Sequence, residues 1–284
     1  MKMKVIVKRP DEEYGRMILR ADRKEGSMKI KLHSQYDHFP NCQTDGDDFD
    51  LELWNDGKIW EYVQNYPNVN RGSALLIEPR PLQEVTYELV EKHYEMFDSI
   101  FTHDSQLLGL LPNACKILYW RDYELNDEPK DKLISFICGN KEMCAAHRMR
   151  MKLAEKLKNK VDVLGDWNGG QRVSIHDAYA PYKYAIVIEN HLDNLWFTEK
   201  ILNAFANKTI PIYFGARDID LIFNKNGIIR INNLWEIPTW IDGHYEYLDE
   251  MYDNLKPIIE DNYFRVQKYK NFEDWFMKRY GTWI

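Results

Sequence analysis

The sequence predicts an α/β chain folded as two lobes, and three observations predict it. Strand-like apolar runs alternate with helix-spaced stretches in two regions of the chain. A polar segment without periodicity, Arg121–Asp131 (RDYELNDEPKD), separates those regions and reads as a linker. The 284 residues, 44% hydrophobic and 29% charged, suffice for two lobes of about 130–150 residues each. The expected division is an N-terminal lobe over residues 1–124, a C-terminal lobe over 125–265, and a closing helix within 266–284 that packs back on the first lobe.

In the first region, Lys4–Lys8 (KVIVK) and Met28–Leu32 (MKIKL) alternate apolar and polar residues, the pattern of half-exposed strands. Ala74–Ile77 (ALLI) is a short buried strand ending at Glu78-Pro79. Val85–Met96 has helical spacing, Ser99–Thr102 (SIFT) reads as a strand, and Pro112-Asn113 turns the chain into Lys116–Trp120 (KILYW). The second region is more regular. Leu133–Cys138 (LISFIC) is a buried strand followed by a helix over Ala146–Asn159, and Val161–Leu164 (VDVL) is the next strand. Tyr184–Ile188 (YAIVI) is a continuous apolar run, as a central parallel strand requires when both its faces are covered. A helix through Thr198–Ala206 leads to Thr209–Phe214 (TIPIYF), a helical stretch at Ile219–Phe223 and a strand at Gly227–Ile231. Strand, helix, strand at this spacing is the signature of a parallel sheet with crossover helices, and Phe272–Tyr280 closes the chain as a helix.

Composition narrows the function. A formal net charge of -7 argues against a protein that tracks nucleic-acid phosphates, yet leaves room for a small anion held by a local cluster. Aromatic residues reach 14%, with 9 Trp and 18 Tyr, and serve either large cores or sugar-stacking surfaces. Cys42, Cys115, Cys138 and Cys144 fit neither a disulfide framework nor a zinc pattern and read as structural thiols. The acidic runs Asp45–Asp50 (DGDDFD) and Asp218-Ile219-Asp220 read as solvated carboxylates, so no metal site is expected. The opening MKMKVIVKRPDEE lacks the apolar stretch of a signal peptide, and no segment approaches the ~20 apolar residues of a membrane span. A soluble cytoplasmic protein is expected.

Chemistry concentrates where the YAIVI run ends and Glu189-Asn190-His191-Leu192-Asp193-Asn194-Leu195-Trp196-Phe197-Thr198-Glu199-Lys200 begins. A buried strand passes through polar residues into a helix, and in open parallel sheets ligands bind beyond the carboxyl ends of the strands. The helix start offers unpaired N–H groups and partial positive charge, which suit phosphate. Lys200 is out of place there, because a cation in the first turn opposes the dipole by roughly 0.3–1 kcal/mol. Either an anionic ligand removes that conflict or the side chain reaches solvent. Arg148 and Arg150 sit early in the helix after Leu133–Cys138, at the same sheet edge. They supply a second cation for a diphosphate, or form an ordinary charged helix face.

Three blocks in order, Tyr182–Asn190 (YKYAIVIEN), Thr198-Glu199-Lys200 and Thr209–Gly215 (TIPIYFG), resemble the donor-binding motif of the α-1,3-fucosyltransferases, family 10 of the glycosyltransferases, in its bacterial and viral form. His147-Arg148-Met149-Arg150 resembles the H-x-x-R start of the family helix, and Glu78-Pro79 after an apolar strand resembles its E-P element. Asn224–Ile229 (NKNGII) and Glu273-Asp274-Trp275 also recur in bacterial and viral relatives, so the resemblance runs from Ala74 to the C-terminus. It implies the GT-B fold, two Rossmann-like lobes with a cleft between them and the nucleotide on the C-terminal lobe. Carried over position by position, it implies that Lys200 and Arg150 hold the diphosphate of a GDP-sugar and that Glu199 accepts hydrogen bonds from the ribose. Glu189, Asn190, Trp196 and Thr198 would belong to the same donor site, and Glu78 would be the general base. His191 stands where the family usually has Ser or Thr, and Leu195-Trp196 where many members have Asp-Tyr.

The implied reaction is an inverting transfer of fucose from GDP-fucose to a glycan acceptor, as in glycan biosynthesis and protein glycosylation. It requires no cofactor beyond the donor substrate. Inversion needs a carboxylate to take the acceptor proton and cations where charge develops on the departing diphosphate, and two basic side chains supply the latter without a divalent metal. Two rival readings remain: the same fold with another nucleotide sugar, and a catalytically silent protein that binds sugar nucleotides or glycans.

Overall fold

The computed structural model describes residues 4–5, 16–20, 29–33, 51–65, 72–118, 123–194 and 196–269. The chain divides into two units, the change falling between Leu118 and Tyr119, and each unit has its own sheet. The helix expected at Phe272–Tyr280 and the acidic run Asp45–Asp50 lie outside the described residues.

Among its described residues the first unit threads seven strands in sequence order: β1 (Lys4–Val5), β2 (Arg16–Arg20), β3 (Lys29–His33), β4 (Leu51–Asn55), β5 (Ser73–Leu76), β6 (Ile100–Thr102) and β7 (Ala114–Lys116). The pairs β1–β2 and β2–β3 are antiparallel, and every pair from β3 to β7 is parallel. Helices α1 (Lys58–Asn65), α2 (Arg80–His93) and α3 (Ser105–Leu110) make the crossovers from β4 to β7. Trp54, Ile59, Tyr62, Leu76, Tyr87, Val90 and Ile100 form its core. Two expectations shift here. The helix expected from Val85 begins five residues earlier, because Pro81 occupies the first turn, where its missing N–H has no intrahelical partner to lose. Of the strand expected at Lys116–Trp120, Tyr119 and Trp120 lie outside the described residues, and β7 ends at Lys116, opposite Thr102, the last residue of β6.

Among its described residues the second unit holds five parallel strands: β8 (Lys132–Ile137), β9 (Asp162–Leu164), β10 (Tyr182–Ile188), β11 (Ile210–Phe214) and β12 (Ile229–Arg230). Helices α4 (Ala145–Leu157), α5 (Ile175–Tyr179) and α6 (Glu199–Ala206) connect them, and α7 (Glu236–His244), α8 (Leu248–Asn254) and α9 (Lys256–Val266) follow. The spatial order β12-β11-β10-β8-β9 is the doubly wound order 2-1-3-4-5 counted within this unit. The crossover from β8 leads to β9 on one side, and the next returns past β8 to β10 on the other, so β8 and β10 flank a topological switch point. β10 is buried almost throughout, and its Tyr184 and Ile186 share a core with Phe136, Leu153, Leu157 and Ile212. The strand expected at Gly227–Ile231 shrinks to two residues because Asn224 caps a 3₁₀ turn over Lys225–Gly227. Ile219–Leu221 is likewise a 3₁₀ turn. Among the described residues no helix is long and apolar enough to cross a membrane.

Candidate donor site at the ends of β8 and β10

Glu189 directly follows β10 and is only 1% exposed. Its Oε1 accepts the Thr198 backbone N–H at 2.9 Å, and its Oε2 accepts the Thr198 hydroxyl at 2.7 Å. Lys200 Nζ lies 3.4 Å from the same Oε2. Gly215, just after β11, leaves room for this carboxylate: a Cβ there would meet Glu189 Cγ at 2.7 Å and the Tyr213 hydroxyl at 2.2 Å. The glycine that closes TIPIYFG is therefore a close-approach position. Burial holds the Glu189 carboxyl above the ordinary carboxylate range, against the pull of Lys200 and Thr198.

Thr198 is the N-cap of α6. Its hydroxyl oxygen accepts from the Lys200 backbone N–H at 3.4 Å and from Lys200 Nζ at 2.9 Å. Glu199, the first helical residue, has Oε1 3.3 Å from Lys200 Nζ. The cation that opposes the helix dipole is thus answered inside the protein by two carboxylates, and its side chain is only 23% exposed. Burial disfavours the ammonium, but Glu199 and Glu189 together outweigh burial and hold its pKa above the usual lysine value.

Arg150, on α4, donates from Nη2 to Asn190 Oδ1 at 2.9 Å. Since α4 follows β8 and Asn190 follows β10, this bond spans the switch point. Burial lowers the Arg150 pKa, opposed by Cys138, Glu189, Cys144 and Glu199. Arg148 takes no part; it is exposed and donates to the Glu142 carbonyl at 3.1 Å. His147, the residue that opens the H-x-x-R element, is 6% exposed one turn before Arg150. Trp196 is 2% exposed, and its ring centroid lies 6.1 Å from that of His191, so the two departures from the family pattern face one another. The structure therefore gathers Arg150, Glu189, Asn190, Trp196, Thr198, Glu199 and Lys200 at one edge of the second sheet.

Glu78 belongs to the first unit, two residues past the end of β5. Its backbone is fixed on both sides: the N–H lies 3.5 Å from Asp56 Oδ2, and the carbonyl accepts the Tyr87 hydroxyl at 2.8 Å. Asp56, fully buried at a φ of 40°, also accepts the Ile77 N–H at 3.1 Å. Arg80 forks onto Asp104 with two 3.1 Å bonds, and Asp104 in turn caps α3. Sequence reasoning missed Asp56, although Asn-Asp-Gly at the end of an apolar strand was a usable turn signal. Among the described residues, no three His, Cys, Asp or Glu side chains come together as a metal site. Asp220 instead faces Arg230 at 3.4 Å.

Comparison with known proteins adds a family. The family model for the C-terminal part of glycosyltransferase family 10 (fucosyltransferase) matches residues 128–276. The chain is 30% identical over 80 residues to the alpha-(1,3)-fucosyltransferase FucT of Helicobacter pylori, covering 26% of this chain and 17% of that protein. It is 22% identical over 281 residues to a protein of Acanthamoeba polyphaga mimivirus provisionally named a fucosyltransferase, covering 92% of this chain and 44% of the other. The chain thus spans less than half the length of either relative. A crystal structure of an alpha1,3-fucosyltransferase with GDP-fucose superposes with a TM-score of 0.51 at 17% identity, over 78% of this chain and 72% of that one. At that identity the likeness is one of fold, the two-sheet α/β arrangement of GT-B glycosyltransferases.

Proposed function

This chain belongs to glycosyltransferase family 10, and from that premise we propose that it moves fucose from GDP-fucose onto a glycan acceptor with inversion. The observation that carries the reading is the meeting of two basic side chains from two strand–helix units at one switch point: Arg150 tied to Asn190, and Lys200 tied to Thr198 and Glu189. Fixed cations at that place lower the cost of charge developing on a departing diphosphate. Asn190 orients Arg150, while Glu189 and Thr198 orient Lys200. Glu189 acts as a support, since Thr198 and Lys200 engage both its oxygens. Glu199 is the acceptor for ribose hydroxyls, and Trp196 with His191 shapes the region beside the donor.

In the reaction the acceptor hydroxyl oxygen attacks the anomeric carbon while the bond from that carbon to the diphosphate oxygen breaks. The electron pair leaves with the diphosphate, and the acceptor proton goes to a carboxylate, for which Glu78 is the candidate. A thermal-shift panel of GDP, UDP, CDP and ADP tests the donor. GDP at 100 times its dissociation constant adds about 2.7 kcal/mol and should raise the melting temperature most. An equal or larger shift with UDP overturns the guanine assignment and favours another nucleotide sugar. Binding of GDP without transfer or donor hydrolysis favours the silent binding protein.

A further inference from the structure

Arg150 is not alone on the inward face of α4. His147 stands three residues earlier, and helix residues three apart lie one above the other on the same face. A crossover helix runs back along the sheet, so its first turn lies at the carboxyl ends of the strands. His147 accordingly sits farther out than Arg150 over the carboxyl ends of β8 and β10. It is 6% exposed, and its Nδ1 is buried with no hydrogen-bond partner among the described residues. An unmatched buried polar atom is costly and calls for an explanation. Cys144, at the N-cap of α4, makes no side-chain cap bond, so the first turn also keeps N–H groups that no cap satisfies.

The charges that bear on the ring are all positive. They come from Lys141 in the segment between β8 and α4, from Arg150 on α4 itself, and from Lys200 on α6. Glu189 and Glu199 act on Lys200 and Arg150. We propose that His147 is a third group of the diphosphate site, neutral in the free protein, which takes up a proton and pairs with the anion when a nucleoside diphosphate binds beside Arg150 and Lys200. This rests on the assignment of those two cations to the diphosphate. In the free protein, burial and then Arg150, Lys141 and Lys200 push the imidazole down to about 4. A diphosphate places negative charge against the same three cations and offers acceptor oxygens to the ring. Both effects raise its affinity for a proton. The proton comes from solvent, and no bond other than N–H forms on the ring.

The test is the titration of the His147 ring by NMR in the full chain, with and without saturating GDP, the resonance being assigned by its loss in His147→Gln. Should that variant fail to fold, His147→Asn supplies the assignment. GDP should move the ring's titration midpoint up by about three pH units, from about 4 to about 7. His147→Gln should weaken GDP about tenfold near pH 6, the worth of one charge-assisted hydrogen bond, and less near pH 8. A ring midpoint unmoved by GDP overturns the proposal, as does a wild-type to variant affinity ratio that is flat with pH. If GDP binds in a Lys200- and Arg150-dependent way while the His147 ring stays unmoved, only this inference falls. If wild type does not bind GDP, the diphosphate assignment falls with it.

Discussion

Replacing Lys200 by Met removes a cation that the buried Glu189 carboxylate depends on, so folding stability should fall along with ligand affinity. Breaking one side of a buried ion pair typically costs about 3–5 kcal/mol. Here Thr198 still gives Glu189 its N–H and O–H, and the Lys200 side chain is 23% exposed. Those two facts lower the expected loss to about 2–4 kcal/mol. Adding Glu189→Gln removes the stranded charge while keeping an acceptor for Thr198. The double variant should therefore recover most of the loss, a coupling of about 1–3 kcal/mol in a double-mutant cycle. In Lys200→Met the carboxyl is raised further, since its cation is gone while its burial remains. A group whose folded pKa is raised favours folding at low pH, so the deficit should shrink as pH falls through the carboxylate range and grow above it. Urea unfolding followed by the fluorescence of the 9 Trp measures the stabilities, and calorimetry measures GDP binding, which both variants should lose. A single variant that loses less than about 1 kcal/mol refutes the reasoning, as does a double variant no more stable than the single, because Lys200 would then not be neutralising Glu189.

Three further outcomes are expected. Gly215→Ala places a Cβ 2.2 Å from the Tyr213 hydroxyl and 2.7 Å from Glu189 Cγ, so it should destabilise by about 1–3 kcal/mol or more in a urea titration and weaken GDP binding by shifting Glu189. Transfer should persist in EDTA at a substantial fraction of its rate; complete loss restored by manganese would redirect attention to the acidic runs. Glu78→Gln should leave GDP affinity nearly unchanged and slow transfer by roughly 100-fold or more, and full activity in that variant would place the base elsewhere.

The fold was legible where one local signal decided it. YAIVI reads as a strand covered on both faces, and β10 is that strand, two residues longer because Tyr182 already pairs with Lys132 of β8. Elements escaped notice where the local signal was ambiguous or absent. Pro238 and Pro257 look like helix breakers, yet each sits in the first turn of its helix, α7 and α9, where proline is tolerated. β2 (RMILR) lacks regular alternation, and its strand state comes from pairing with β1 and β3, neither of which its own residues reveal.

The candidate site divides along the same line. That polar residues after a buried strand would lead into a capped helix was readable, and Thr198 is that cap. That Glu189 turns inward was not, because the space it fills is set by Gly215 on a different strand. The choice between Arg148 and Arg150 looked open but was not. At 3.6 residues per turn, two residues apart on a helix lie about 200° round from one another, so only one of them can face the sheet. Ala154 and Leu157 mark the buried side of α4, four and seven residues beyond Arg150. That phase assigns Arg150 to the inward face and leaves Arg148 to solvent, as its bond to the Glu142 carbonyl bears out. Extended one turn toward the N-terminus, the same phase reaches His147. A histidine that could be read as an ordinary helix residue thereby falls on the one face of α4 where an unpartnered ring nitrogen and three neighbouring cations require an account.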